Sequence, residues 1–489
     1  MAWRGVTAIA LAAVVGGCAN VRNEPRNVSV ASVAQAAEVG REDAQHDDEL
    51  LVGISFSGGG TRAAAFAHGA LLEMERTRLP GNRGSLLDKL DFVSGVSGGS
   101  VTAAYYGLKK RAALQDFRER FLLKNAEEKI NTQISFVNLS RALGGGINDS
   151  EQFPKWLDDN LFEGATFAAF RAQRRPRIWI NASDIYNRTT FVFGATAFRA
   201  ICSDLNSYKL SDAVAASAAV PVVFAPVVLK TFPDQCKSKL PEWIVRARQN
   251  RAASPMLRAF ADAIGRYNDG SMPYIKLLDG GLVDNFGLSG FTIARLSSDT
   301  PFGPMTEAQA VKTRRVMFLV IDAGRGPSGD WVKTVEGPAG VDLIMAASDT
   351  AVDSGVRASF TAFDSVMQEW QKEVVRWRCG LTAAQRKKYG APANWNCRDI
   401  KFFVGRVGFD QLGEERATQL QAIETRFKLP ADQVDALISA GSDALRTNAT
   451  FQSFLGSMGR APGRPVAPEP NEPAPPPAAV SMALPPKPQ

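Results

Sequence analysis

A serine lies between glycines in the stretch from Gly95 to Gly99, which reads Gly-Val-Ser-Gly-Gly. Apolar residues precede this stretch and small residues follow it, so the pattern predicts a strand, a sharp turn and a helix. The turn is too tight for side chains beside the serine, and its backbone visits angles that glycine adopts at low cost. Ser97 would then be exposed at a helix N-terminus, where backbone N–H groups favour a developing negative charge. The stretch is typical of a nucleophile elbow.

A second glycine-rich stretch lies upstream, at Gly58 to Gly60, between a predicted strand and a predicted helix. A glycine run in this position presents bare N–H groups to an anion. A nucleotide phosphate loop is disfavoured because the sequence lacks both G-x-x-x-x-G-K-[ST] and G-x-G-x-x-G here. The other interpretation is an oxyanion hole that serves Ser97.

A third stretch, Asp279-Gly280-Gly281, follows an apolar strand and offers a carboxylate as a base. The whole chain has two histidines, His46 and His68. A Ser-His-Asp triad needs a histidine between nucleophile and acid. His46 lies in a charged run that is typical of a linker, and His68 lies two turns into a helix, pointing away from the glycine loop. A conventional triad is therefore disfavoured.

Taken together and in this order, the three motifs resemble those of the patatin-like phospholipase family. That family is marked by a G-G-G-x-[RK] loop, a G-x-S-x-G elbow and a D-G-[GA] aspartate, which stand here at 58–62, 95–99 and 279–281. A fourth block similar to the family, 215–226, lies between the elbow and the aspartate. The resemblance covers roughly residues 50 to 330, with the region to about 458 as a continuation.

The resemblance implies a Ser-Asp dyad that needs no histidine. In that scheme Asp279 takes the Ser97 hydroxyl proton, Ser97 attacks an ester carbonyl, and an acyl-enzyme forms. The resemblance also implies an acyl ester hydrolase of lipids, most simply phospholipids, that uses neither cofactor nor metal. The oxyanion donors in this scheme are the N–H groups of Gly58, Gly59, Gly60 and Gly98.

Arg62, which ends the glycine-loop motif, has two interpretations. It orders the loop by hydrogen bonds, or its charge attracts a lipid phosphate. We favour the first.

Two other functions stay open at this point. One is a general carboxylesterase or acyltransferase that uses the same dyad. The other is a non-catalytic lipid-binding lipoprotein with a decayed site. The presence of both Ser97 and Asp279 disfavours this second alternative, since a decayed site has no need to keep both.

Residues 1–18 read as an export signal, with Arg4 before an apolar core that is too short to cross a bilayer. The last four, Val-Gly-Gly-Cys, resemble a bacterial lipobox, which predicts lipidation at Cys18; an ordinary signal peptide with an incidental cysteine is the alternative. Ala19 implies, in a Gram-negative host, anchoring to the outer membrane facing the periplasm. Residues 19–49 are polar and predict a flexible tether with a span of roughly 30 Å.

Four further cysteines form an even set, which permits disulfides in an exported protein. Cys202 with Cys236 and Cys379 with Cys397 are the pairs that close local loops, so we predict these two bonds. Four buried thiols are the alternative. No C-x-x-C spacing indicates zinc.

Strand and helix patterns alternate along the chain, which predicts an α/β fold with a mostly parallel central sheet, helices on both faces and a helical C-terminal part. The predicted catalytic domain is 50–458, and 459–489 is a proline-rich disordered tail. Residues 231–274 read as a surface insertion, with a lid as the alternative. The formal charge of +7 is too small to indicate a partner. Nothing resembles a nucleic-acid module, so the expected partners are a lipid substrate and a membrane surface.

The predicted strands are 51–56, 92–94, 177–182, 189–193 and 316–321, and the predicted helices include 116–131, 352–377, 414–427 and 431–446.

Overall fold

The computed structural model describes residues 23–30, 49–81, 83–128, 130, 146–172, 175–236, 239–327 and 329–459. Its centre is a sheet of eight strands: β1 (Leu50–Phe56), β2 (Leu90–Val96), β3 (Arg177–Asp184), β4 (Thr189–Val192), β5 (Val227–Lys230), β6 (Tyr274–Asp279), β7 (Arg315–Asp322) and β8 (Lys401–Gly408). The strand order is β5-β6-β3-β2-β1-β7-β8, and β4 pairs with β3 beside this path.

The helices that surround the sheet are α1 (Gly60–Arg76), α2 (Gly98–Lys109), α3 (Ala113–Phe117), α4 (Gln152–Leu157), α5 (Phe167–Ala172), α6 (Ala195–Ala200), α7 (Leu210–Ser217), α8 (Pro233–Cys236), α9 (Glu242–Gln249), α10 (Pro255–Asn268), α11 (Gly281–Asp284), α12 (Ser289–Leu296), α13 (Glu307–Lys312), α14 (Val341–Cys379), α15 (Ala383–Lys388), α16 (Glu414–Gln421), α17 (Ala431–Thr447) and α18 (Ala449–Gly456). None of the helices in the described ranges is long and apolar enough to cross a membrane.

The sheet is mixed but mostly parallel. β1 pairs in parallel with β2 and β7, and the outer pairs β2–β3 and β7–β8 are parallel as well. β4 and β6 run antiparallel to β3, and β5 runs antiparallel to β6. The predicted fold class, including the helical C-terminal part, is confirmed.

Alternate residues of the central strands enter two different hydrophobic cores. In β1, Val52, Ile54 and Phe56 join the larger core with helices α1, α2 and α17, whereas Leu51 joins the second core with α12 and α14. Because both faces are covered, the seven residues of β1 are all buried. A strand buried on both faces reads as a continuous apolar run, which is why β1 was visible in the sequence.

The parallel register brings the motifs to one edge of the sheet. Phe56 at the end of β1 pairs with Gly95 in β2, so the loops that follow these two strands leave the sheet side by side. β6 runs in the opposite direction, and its last residue, Asp279, pairs with Ala182 in β3. Asp279 therefore arrives beside the carboxyl end of β2.

Two predicted helices end earlier than expected. The segment predicted at 116–131 is helical only through a π turn that ends at Leu122. The segment predicted at 414–427 ends as a helix at Gln421. The residues that follow Gln421 hydrogen bond to the glycine loop instead, so a tertiary contact replaces the last turn.

The C-terminal part belongs to the same body as the motifs. β8, which sequence reasoning missed, extends the sheet beyond β7. α17 packs along α1, where the Ser442 hydroxyl donates to the Gly69 carbonyl over 2.8 Å.

The insertion 231–274 forms α8, α9 and α10, and α10 packs against α6 and β4. A cavity of about 530 Å³ opens at the amino end of the sheet, where Leu51 and Arg177 meet Trp243 and Phe260 of the insertion. This cavity is remote from the carboxyl end of β2, where the elbow lies. The contacts of the insertion therefore give no support to a lid over the elbow.

Part of the predicted tether is ordered against the domain. Residues 23–30, which we call the strap, run beside Cys202 and Lys230. The Val30 N–H donates to the Cys202 carbonyl over 3.0 Å, and Arg26 pairs with Asp212 over 2.7 Å. The prediction of a free tether is wrong for these eight residues, because their side chains find hydrogen-bond partners far along the chain. The predicted signal segment with Cys18, and the tail from residue 460, lie outside the described residues.

We expect Asn27→Ala to lower the free energy of unfolding by about 1–3 kcal/mol, because it removes three hydrogen bonds. Asn27 is buried; its amide donates to the Lys230 carbonyl over 2.8 Å and to Ser203 Oγ over 3.1 Å, and its Oδ1 accepts from the Lys230 N–H over 2.9 Å. Denaturant unfolding measures the change. Glu24→Ala, at an exposed position of the same strap, is the matched control. Equal unfolding midpoints for the two variants would show that the strap does not hold the domain.

Candidate active site

The elbow places Ser97 between β2 and α2 in a strained conformation. Its backbone angles are φ 50° and ψ −125°, a region that a side-chain-bearing residue rarely adopts. The Ser97 carbonyl accepts hydrogen bonds from the N–H and the hydroxyl of Ser100, over 2.9 and 2.6 Å. The predicted strand–turn–helix is therefore present. Ser97 is only 3% exposed, however, so the expectation of an exposed nucleophile is wrong.

Asp279 is buried beside this serine. Its Oδ1 accepts a hydrogen bond from the Gly281 N–H over 2.8 Å. Burial raises the pKa of Asp279 to about 6, while the Gly281 N–H and the nearby Ser97 hydroxyl act in the opposite direction. The carboxylate is thus ionised at neutral pH and lies close to the serine hydroxyl, as a general base must lie to its nucleophile.

Ser217, at the end of α7, joins the two residues and was missed by sequence reasoning. Its hydroxyl accepts the Ser97 N–H over 2.9 Å and donates to the Asn181 carbonyl over 2.6 Å. Its carbonyl accepts the Gly280 N–H over 3.0 Å. One residue, through its hydroxyl and its backbone carbonyl, therefore fixes the elbow relative to the turn after Asp279. The available signal was its place in the block 215–226 that resembles the family.

The glycine loop lies against the elbow so closely that only glycine fits. A Cβ at Gly98 would lie 1.9 Å from the Gly60 carbonyl oxygen, far inside van der Waals contact. Gly60 itself has φ +57° and packs on the carbonyl of Arg426. This close approach places backbone N–H groups of the loop next to the serine.

The free N–H groups beside the serine differ in one member from the predicted oxyanion donors. The Gly58 N–H is engaged by Asn285, through Oδ1 over 3.1 Å and the carbonyl oxygen over 3.2 Å. The N–H groups of Gly59, Gly60 and Gly98 hydrogen bond to none of the described residues. Asn285 thus holds the start of the loop and removes Gly58 from the candidate donors.

Arg62 orders the glycine loop and does not face a ligand. It is 2% exposed, its Nε donates to the Ala323 carbonyl over 2.9 Å, and its Nη1 donates to the Ile423 carbonyl over 2.6 Å. Burial lowers the pKa of Arg62 to about 9, and the nearby charge of Arg325 lowers it further. The structure therefore supports the favoured interpretation and contradicts the phosphate-facing one.

His68 has no part in this arrangement. It is buried in α1 with its ring 5.5 Å from that of Phe117, and burial lowers its pKa to about 4. Its imidazole is neutral at physiological pH and packs as a core side chain. His46 lies outside the described residues, as does Cys18.

The four other cysteines form the two predicted pairs in the structure. Cys202 bonds to Cys236 with a Cα–Cα distance of 5.7 Å, and Cys379 bonds to Cys397 at 4.9 Å. The first pair forms a small apolar cluster with Val30 of the strap. Within the described ranges, no group of three or more His, Cys, Asp or Glu side chains is arranged to hold a metal ion.

We expect Arg62→Lys to lower the free energy of unfolding by about 2–4 kcal/mol, because lysine keeps the charge but cannot reach both carbonyls with a planar fork. Denaturant unfolding measures the change. Arg446→Lys, at a half-exposed surface position, is the matched control and should change stability by less than about 0.5 kcal/mol. An unchanged stability in Arg62→Lys would restore a ligand-facing role for this charge.

We expect Asp279→Asn to become more stable relative to the parent as the pH rises. The folded pKa of about 6 lies above the unfolded value, so the parent loses stability between about pH 4 and pH 6, by at most about 3 kcal/mol. The asparagine is neutral throughout and loses nothing. The measurement is the unfolding free energy of both proteins between pH 4 and pH 8.

The control for this series is Asp435→Asn. The Arg118 guanidinium holds the pKa of Asp435 below its usual value, so the pH dependence of that variant relative to the parent should have the opposite sign. A difference between Asp279→Asn and the parent that does not vary with pH would contradict the raised pKa.

Comparison with known proteins gives a family for the part of the chain that carries the site. Residues 54–292 match the family model described as patatin-like phospholipase. A search of curated proteins returned no match.

The comparison with solved structures returned human GIVD cytosolic phospholipase A2, at 11% identity and a TM-score of 0.41, over 87% of this chain and 62% of that one. The same human enzyme in complex with methyl gamma-linolenyl fluorophosphonate gives 12% identity and a TM-score of 0.39, over 87% and 61%. The complex of SpcU and ExoU from Pseudomonas aeruginosa gives 12% identity and a TM-score of 0.20, over 90% and 94%. Our chain thus spans less than two thirds of the human enzyme.

The family match covers the glycine loop, the elbow and the aspartate in a single stretch. Residues 54–292 therefore form a domain of the patatin-like phospholipase family.

Proposed function

We propose that this protein hydrolyses acyl esters of phospholipids with a dyad of Ser97 and Asp279, through an acyl-enzyme. One observation carries the proposal: Ser217 joins a strained serine to the turn after a buried carboxylate, and the serine hydroxyl lies near enough to lower the pKa of that carboxylate. Unengaged backbone N–H groups of Gly59, Gly60 and Gly98 lie in the loop and helix start beside it. Nucleophile, base and oxyanion donors are thus brought together by one fold.

In the first half of the reaction, Asp279 accepts the Ser97 proton while Oγ attacks the ester carbonyl. The carbonyl oxygen becomes an oxyanion, which the N–H groups of Gly59, Gly60 and Gly98 stabilise. When the intermediate collapses, the bond to the alcohol oxygen breaks and Asp279 returns the proton to that oxygen. The lysophospholipid leaves, and the acyl group remains on Ser97.

In the second half, water takes the place of the alcohol. Asp279 accepts a proton from the water as its oxygen attacks the acyl carbonyl, and the bond to Oγ then breaks. The proton returns to Oγ, and the fatty acid is released. A pKa of about 6 suits a group that must accept and return a proton in each half at neutral pH.

We further propose that the protein is exported and is anchored through a lipid on Cys18, facing the periplasm from the outer membrane. The pairing of four cysteines as Cys202–Cys236 and Cys379–Cys397 supports an oxidising compartment. Cys18 is then the one cysteine of the chain outside a disulfide. Radiolabelled fatty acid incorporated into the parent but not into Cys18→Ser is the expected result, and equal labelling of both would overturn the anchor.

The dyad is tested with the full chain carrying Cys18→Ser, on phospholipid vesicles and on a short-chain chromogenic ester. We expect Ser97→Ala and Asp279→Asn each to lower kcat/KM by roughly 10³-fold or more on both substrates, because each removes a group that acts in the transition state. In the parent, the rate should rise with pH through about 6 and then level, because the base must be ionised.

Ser297→Ala and Asp299→Asn, at partly exposed and exposed positions outside the site, are the matched controls and should keep the parent rate. Activity that survives in Ser97→Ala would overturn the dyad. Hydrolysis of the short-chain ester without any release of fatty acid from vesicles would point to a general carboxylesterase. Transfer of the acyl group to added glycerol in preference to water would point to an acyltransferase.

A further inference from the structure

A cluster of exposed apolar side chains lies in the segment that follows β7. Among the described residues, twelve large apolar side chains are exposed, and five of them lie between residues 331 and 344. Isolated exposed apolar residues are ordinary on a protein surface, but a contiguous group marks an interaction site. We call this group the apolar ridge; its members are Trp331, Val332, Val335, Leu343 and Ile344.

The helix that carries the end of the ridge is thinly packed near its start. α14 has 39 residues, and the first fully buried side chain among its described ones is Phe363. Before Phe363, Val356 and Phe360 pack partly buried against the second core. Leu343 and Ile344, at the start of the helix, are more than half exposed. A helix in water derives most of its stability from packing of an apolar face, so the start of α14 calls for a contact outside the described fold.

The segment that carries the ridge begins at the glycine loop. β7 ends at Asp322, and the next residue, Ala323, donates its N–H to Ser57 Oγ over 3.0 Å and accepts a hydrogen bond from Arg62. The charges of Asp349 and Asp353, on the exposed half of α14, act on Arg62. The ridge is thus joined to one wall of the candidate active site.

The turn that follows Asp279, on the other side of the candidate active site, also contacts α14. α11, which follows Asp279 directly, packs against α14, and the ring of Phe286 lies 6.3 Å from that of Phe360. Val283 in α11 is itself 39% exposed. α14, whose start carries the end of the ridge, therefore lies against the turn that follows Asp279, and its acidic residues act on the arginine that orders the glycine loop.

A bilayer surface fits this position and this chemistry. Ser97 and Asp279 are 3% and 8% exposed, so an ester has to leave its surroundings and enter the fold to reach them, and a surface that holds lipid beside the site would shorten that transfer. Tryptophan and aliphatic side chains are the ones that enter the boundary between headgroups and acyl chains. This inference rests on the proposed function. The ridge would bring the candidate active site to the bilayer that holds the phospholipid substrate.

The charge around the ridge selects the kind of bilayer. Between residues 329 and 360, five acidic side chains stand against two basic ones, Lys333 and Arg357. An acidic surface is repelled by anionic headgroups, so attraction must come from burial of apolar area. Binding should therefore need no anionic lipid and should weaken little with salt.

We propose that the apolar ridge inserts into the surface of a bilayer of neutral lipids and presents that surface to Ser97. Entry of the ridge into the bilayer is a separate event from catalysis, because none of the five ridge residues belongs to the dyad, the oxyanion donors or their hydrogen-bond partners.

The binding test uses the full chain with Cys18→Ser and Ser97→Ala, so that vesicles are neither anchored nor consumed. Co-sedimentation with phosphatidylcholine vesicles should weaken at least tenfold in Leu343→Ser/Ile344→Ser, and 0.5 M salt should leave the parent nearly unchanged. The matched control is Val245→Ser/Met256→Ser, two exposed apolar residues of the insertion, which should bind as the parent does. Unchanged vesicle binding in Leu343→Ser/Ile344→Ser would overturn the proposal.

A second measurement follows Trp331. With phosphatidylcholine vesicles that carry brominated acyl chains, tryptophan emission should be quenched in the parent, and most of that quenching should be lost in Trp331→Phe. Equal quenching in both proteins would overturn the proposal even if the serine variants failed to fold.

Activity separates this proposal from the proposed function. In the background with Ser97 intact, Leu343→Ser/Ile344→Ser should lose at least tenfold in vesicle hydrolysis and keep its rate on the short-chain ester. A parent inactive on both substrates, yet bound to vesicles through the ridge, would refute only the proposed function. If the parent does not bind neutral vesicles but forms a dimer, and the double variant does not form that dimer, the partner of the ridge would be a second copy of the chain and not a bilayer.

Discussion

The rest of the site depends on the closeness of the Ser97 hydroxyl to the buried Asp279 carboxylate. The two residues lie at the ends of β2 and β6, strands that run in opposite directions and do not pair with each other. β3 lies between them and pairs with both, and Ser217 bonds to the residues on either side. A small shift of any of these elements would separate the base from the nucleophile. The site is therefore a property of the whole sheet edge and of the helix that ends at Ser217.

The glycine loop depends in turn on a part of the chain beyond the stretch that matches the family. Arg62 bonds to the carbonyl of Ile423, and the Thr61 N–H donates to the carbonyl of Arg426 over 2.7 Å. The side chain of Arg426 pairs with Glu127 over 2.8 Å, which fixes this segment from the outside. The C-terminal part thus holds the glycine loop, with its candidate oxyanion donors, in position as well as extending the sheet. Buried hydrogen bonds of this kind are costly to lose, so the loop and the C-terminal part have to fold together.

The strap changes the way in which a membrane anchor would act on this domain. Between Cys18 and Asn23, where the strap begins, the chain can span at most about 18 Å. A lipid on Cys18 would therefore hold the domain close to the membrane with limited freedom of orientation, whereas a long flexible tether would leave the domain free to move. The proposed lipid on Cys18 and the proposed insertion of the apolar ridge would be two independent attachments of the chain to a bilayer. Their combination would restrict how the site meets lipid.

Several features were visible in the amino-acid sequence because they depend on short stretches. The elbow around Ser97, the loop at Gly58 to Gly60 and the turn after Asp279 were each recognised from residue type and spacing, and the buried strands from apolar runs. The two disulfides also followed from closeness in sequence. Propensity and turn chemistry act over a few residues, so such features are encoded where they occur.

Other features were decided only by the tertiary structure, since their partners are far apart in the chain. The Gly58 N–H donates a hydrogen bond to Asn285, which is 227 residues away in the sequence, and Arg62 donates one to Ile423, which is 361 residues away. Ser217 braces Ser97 across 120 residues. The same holds for the strap, whose polar composition suggested a free chain until its partners were known. Which polar group satisfies which depends on how the strands are ordered in the sheet, and a local pattern carries no information on that order.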